Sequence, residues 1–159
     1  MNTAELRVIE GGEGGSGAPE PKERATVSQF GPQQRWTQKL GRNFTPVSEF
    51  FLGNYHRLRP HEGAKGLNSA EAMLIIQLIS FKRDKRAPFP SQKLLAKRMG
   101  MEERMVRHHI TNLAKQGYLE RERRTAGGVN KYHLEPLFQA LERLMDQDAE
   151  KPEPKPEND

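Results

Sequence analysis

Between Ser91 and Leu134 the apolar period passes from helical to strand-like, with Gly100 and Gly117 as punctuation. "SQKLLAKRM" opens on Ser91, a strong N-cap type, and is closed by Gly100. "EERMVRHHITNLAKQ" follows as a second helix and is closed by Gly117, because the left-handed backbone just past a helix C-terminus favours glycine. "YLERERR" and "VNKYHL" then flank "TAGG", a glycine turn between two strand-like runs, which predicts a β-hairpin. Helices surround this unit. "TPVSEFFLGNYHRLRP" predicts one with Thr45 as N-cap, Pro46 at the first helical position and its end at Pro60. "LNSAEAMLIIQLISFKRD" predicts the central, most buried helix, opened by a capping box of Asn68 with Glu71. "RAPFP" reads as a short extended link, and "EPLFQALERLMDQ" as a last helix with Leu137, Phe138, Leu141, Leu144 and Met145 on one stripe.

A chain of 159 residues with 34% apolar content supports one modest domain. Its boundaries follow composition: residues 1–44 a flexible arm, 45–145 the folded domain, 146–159 an acidic disordered tail. Charge divides the same way. Residues 1–21 carry net −3 and residues 146–159 net −4, so a chain of net +5 has +12 between them. A basic middle between acidic ends attracts polyanions. The absence of cysteine excludes disulfides and thiolate chemistry, and the opening "MNTAELRVIEGG" lacks a secretory pattern. The longest apolar run, around "AMLIIQLI", is far short of a bilayer span. The expected setting is the cytoplasm, in association with the nucleoid, and no membrane.

The order of elements over residues 67–135 resembles the winged helix-turn-helix superfamily. The motif residues are Leu94 and Leu95, Ala96 where the two helices approach, Gly100 in the turn, Val106, Ile110 and Leu113 on the packed face, and "QGYL" leading into the wing. Similar modules are the MarR/GntR-like regulators and the N-terminal domains of phage or plasmid replication initiators and of primosomal DnaD-type proteins. The resemblance implies a mainly α fold with a small β-hairpin, and duplex DNA as the partner. Two departures stand out: Glu102 and Glu103 occupy the N-terminus of the second helix, where relatives place Ser or Thr, and His109 replaces a small apolar residue.

At about 100° per residue, Val106, Ile110 and Leu113 share one face of that helix, and Arg104, His108, Thr111 and Lys115 the opposite one. A cationic, hydroxyl-bearing ridge on such a helix suits the major groove, so these four are expected to read bases. Ser91, Lys93 and Arg107 are expected to hold the phosphate backbone, together with Arg123, Arg124, Asn130 and Lys131 of the wing. Leu119, Tyr132 and Leu134 are expected to face the body.

His108 and His109 point in different directions and lack the i, i+4 spacing of a zinc pair, while His56 and His61 straddle Pro60 without a third ligand. No catalytic motif appears, so neither an enzyme nor a metal or other cofactor is expected. The expected function is sequence-preferring binding of double-stranded DNA, with transcription regulation first and replication initiation or plasmid and phage maintenance at an origin as the alternative. A protein-interaction adaptor is a further alternative. A homodimer through residues 46–58 and 135–147 is expected to supply two half-site readers, unless these two stripes pack on each other within one chain.

Overall fold

The computed structural model describes residues 35–123 and 128–151. Their elements are α1 (Glu49–Asn54), α2 (Ser69–Ser80), α3 (Gln92–Met99), α4 (Glu103–Lys115), β1 (Glu120–Glu122), β2 (Lys131–His133) and α5 (Glu135–Glu150), with 3-10 turns at Leu40–Arg42 and Tyr55–Arg57. This is the expected mainly helical winged helix-turn-helix. Contacts divide the chain into Met1–Phe44 and Thr45–Asp159. In the first unit Thr37 starts the short turn by accepting from the Leu40 amide, and Trp36, Leu40 and Phe44 are exposed.

The second unit follows its local signals closely. Asn68 Oδ1 accepts from the Glu71 amide at 2.8 Å and the Glu71 carboxylate accepts from the Asn68 amide at 3.1 Å, which completes the capping box of α2. Ser91 Oγ accepts from the Leu94 amide, and α3 ends at Gly100 with φ 63°, a left-handed residue that makes the turn into α4. Gly117, with φ 80°, does the same between α4 and the wing. The strands pair antiparallel, with Arg121 opposite Tyr132 and Glu122 opposite Lys131.

Leu74, Ile75 and Leu78 of α2, Leu95 of α3, and Val106, Ile110 and Leu113 of α4 form the centre of the core, closed by Tyr118, Leu119, Tyr132 and Leu134. The Tyr118 hydroxyl reaches two carbonyls, Leu58 at 3.0 Å and Lys65 at 2.5 Å. It thereby fastens the loop between α1 and α2 to the end of α4. Gln116 adds to this seam by accepting from the Lys65 amide.

Three boundaries differ from the sequence expectation. Helix α1 starts after Ser48, whose Oγ accepts from the Phe51 amide, and not at Thr45 and Pro46. It stops at Asn54 and not at Pro60, because the Tyr55 carbonyl is taken by the Leu67 amide and cannot continue a helical ladder. At the other end α5 continues through residues expected to belong to the tail. Arg57 grips Asp148 with two bonds of 2.7 and 2.8 Å, and this hydrogen-bonded guanidinium holds the Asp148 carboxyl below its ordinary range. The acidic composition of the segment concealed a partner 91 residues away. The arm residues 1–34 and tail residues 152–159 lie outside the described residues.

The stripes expected to mediate dimerisation pack largely within the chain. Phe51, Leu58 and Leu137 are buried, and Val47, Tyr55, Phe138, Leu141 and Leu144 pack against the same core. Met145 remains half exposed, at the edge of a shallow groove with Phe50 and Phe138. No helix among the described residues is long and apolar enough to cross a membrane.

Candidate nucleic-acid interface

Burial of Val106, Ile110 and Leu113 fixes the rotation of α4 and turns Arg104, His108 and Lys115 to solvent. Thr111 is half-buried at the edge of this ridge and its hydroxyl donates to the Arg107 carbonyl at 2.9 Å. The four side chains expected to read bases therefore share one face, with Thr111 the least available.

Two arginines of α4 already hold carboxylates. Arg104 lies 3.7 Å from Glu102 and Arg107 3.4 Å from Glu103. Glu102 is the N-cap residue of α4 but makes no side-chain cap bond, so its carboxylate serves Arg104 instead. These are exposed pairs and weak in water. Their consequence is local: any external anion that approaches either arginine has to displace an internal carboxylate. Lys93 and Lys115 are exposed. Arg107 also donates to Gln92 at 3.4 Å, which links α4 to the start of α3. Gln92 is a neighbour of the candidate site that sequence reading missed, because its partner lies across the turn.

On the wing, Arg123 is exposed, whereas Lys131 is half-buried and 4.0 Å from Glu122, its cross-strand neighbour. Glu122 also accepts from His133 at 2.9 Å if that ring nitrogen carries the proton. Arg124 lies outside the described residues. Asn130 and Gln92 come close to the Tyr132 hydroxyl without completing a hydrogen bond, which leaves that buried oxygen unpaired. Burial is the main cause that raises the Tyr132 phenol above its ordinary range.

His108 and His109 have ring centroids 6.0 Å apart. The His108 ring meets the Asn112 amide at 3.1 Å, while His109 leans toward the body with a buried, unpaired Nδ1. Among the described residues no group of three or more His, Asp or Glu side chains is placed to hold a metal ion.

Residues 47–152 match the family model of the DnaD N-terminal domain. The fold is similar to the crystal structure of the N-terminal domain of DnaD protein from Geobacillus kaustophilus HTA426, with a TM-score of 0.53 at 24% identity. That similarity covers 72% of this chain and 91% of the other. No curated protein matches. Among the relatives that the sequence resembles, the match falls on the DnaD-type branch, and it spans the helix-turn-helix, the wing and both flanking helices. The chain belongs to the DnaD N-terminal domain family.

Proposed function

We propose that this chain is a non-enzymatic module that binds double-stranded DNA in replication, and not a transcription regulator. The observation that carries the reading is the solvent-facing ridge of α4, presented between a glycine turn and a wing in a basic domain. Family membership favours the replication branch, the role that the DnaD-type resemblance implies. Arg104, His108, Thr111 and Lys115 face the major groove; Ser91, Lys93, Arg107, Arg123, Arg124, Asn130 and Lys131 lie along the backbone. Titration of random duplex DNA at several salt concentrations tests this. A steep fall of affinity with salt is expected, and no duplex binding at low salt would leave a protein-interaction adaptor.

Arg104→Ala is expected to lose about 1–3 kcal/mol of preference for a duplex site selected from a random pool, with random DNA less affected. Equal weakening on both removes Arg104 from base readout. Arg123→Ala with Arg124→Ala is expected to weaken all duplexes and to flatten the log–log salt dependence by about one to two units, with selectivity retained. An unchanged slope means that these arginines touch no phosphate.

The groove bordered by Phe50, Phe138, Leu141 and Met145 supports self-association as a second reading. Most of each stripe is already committed to the core, so the residual surface predicts a weak dimer. Light scattering at micromolar concentration is expected to show a mass above that of one chain, returned to one chain by Met145→Glu. A monomer at every concentration ends this proposal.

A further inference from the structure

A second groove lies at the start of α3, and its chemistry differs from that of a duplex-reading face. Phe81, Phe89, Pro90, Ser91, Leu94 and Val129 line a depression of about 320 Å³ between the end of α2, the start of α3 and the wing. This volume is within the range of small-ligand sites. Phe89 is 61% exposed there, although its neighbours Pro88 and Pro90 are buried. The Pro88 carbonyl accepts from the Tyr132 amide at 2.9 Å, so the segment carrying Phe89 is held along the wing strand. A large aromatic ring is thus presented to solvent from an anchored backbone.

The surroundings are cationic. The loop just before this segment carries Lys82, Arg83, Lys85 and Arg86 against one acid, Asp84, which Arg86 engages at 2.7 Å. Helix α3 carries Lys93, Lys97 and Arg98 and no acid. The Arg98 guanidinium sits 4.7 Å from the centroid of Phe81, a groove residue. An apolar peptide would bring no charge to so basic a margin. A single nucleic-acid strand supplies both requirements, because every base has a flat π-face and every linkage a phosphate.

We propose that this groove receives an unpaired base of single-stranded DNA, stacked on Phe89, with its flanking phosphates drawn by the 82–86 loop and α3. The site adjoins the proposed backbone contacts of the duplex, since Ser91 belongs to both, and it fits a protein placed where duplex and single strand meet. It rests on the replication reading only for that placement, not for the stacking itself.

The test compares a labelled oligo-deoxythymidine single strand with a blunt duplex, both by fluorescence anisotropy on the full chain. Phe89→Ala is expected to lose roughly tenfold in affinity for the single strand and less than about twofold for the duplex. Phe89→Trp in a Trp36→Phe background, which leaves one tryptophan in the chain, is expected to keep single-strand affinity and to be quenched by the strand. No single-strand binding by the unaltered chain, an unchanged affinity of Phe89→Ala, equal losses on both probes, or an unquenched signal from the introduced tryptophan overturns the proposal. Loss of duplex binding alone, with Phe89-dependent single-strand binding intact, overturns the duplex reading and leaves this one standing.

Discussion

Gly66→Ala should destabilise the second unit by at least about 2–3 kcal/mol, because the added methyl has no room. A Cβ at this position would run into the backbone carbonyl of His56 and would lie 2.7 Å from the Arg59 guanidinium. The carbonyl cannot move freely, since the Leu67 amide next door is bonded to the Tyr55 carbonyl across the same crossing of chain. For a domain of this size such a loss lowers the melting temperature by roughly 10 °C or more. Gly53 is the contrasting site, inside α1 with nothing within 4 Å of its added methyl. Gly53→Ala is therefore expected to raise stability by roughly 0.5–1 kcal/mol through helix propensity. Thermal unfolding of the two variants by circular dichroism checks both signs, and a tolerated Gly66→Ala would mean that the 56–67 loop repacks.

Tyr118 carries the second large effect, and it has two parts. Tyr118→Phe leaves the Leu58 and Lys65 carbonyls without their hydroxyl donor, an expected cost of about 1–3 kcal/mol near neutral pH. The hydroxyl also ties stability to alkali. Burial, aided by Glu71 and opposed by Arg59, pushes the phenol up to about 12 in the folded chain. A group whose pKa is raised by folding contributes fully below its unfolded value, near 10, and loses that contribution as the pH climbs toward 12. The loss amounts to something on the order of 2–3 kcal/mol. Urea unfolding at neutral pH and near pH 11 should show a smaller alkaline drop in Tyr118→Phe than in the unaltered chain. Tyr132, also raised by burial, keeps part of the drop. Equal drops in both proteins would detach Tyr118 from the alkaline sensitivity.

What the sequence discloses here is what local chemistry determines. Ser91, Gly100 and Gly117 act on their nearest neighbours, and the spacing of Val106, Ile110 and Leu113 orients α4 without help from distant chain. The helix-turn-helix and hairpin were legible for that reason, as was the exposed ridge of Arg104, His108 and Lys115. The pairing of Glu103 with Arg107 was legible too in its i, i+4 spacing, although its effect is to occupy a residue assigned to DNA. Long-range bonds were hidden. The end of α1 depends on Leu67, and the bond from Tyr132 to Pro88 turns "RAPFP" from a mere link into a rail for Phe89. Thr45 and Ser48 offer equivalent hydroxyl caps, so composition alone cannot choose between them.

The bidentate bond from Arg57 to Asp148 also decides where this protein can be cut. One partner stands near the start of the folded unit and the other in the last turn of α5, so the pair works as a clasp between its two ends. A fragment that stops at Met145 omits the carboxylate and leaves Arg57 with the Asn54 side chain to hold. Tags, fusions and engineered cleavage points belong beyond Asp148, and the stretch that matches the family, 47–152, encloses both halves of the clasp.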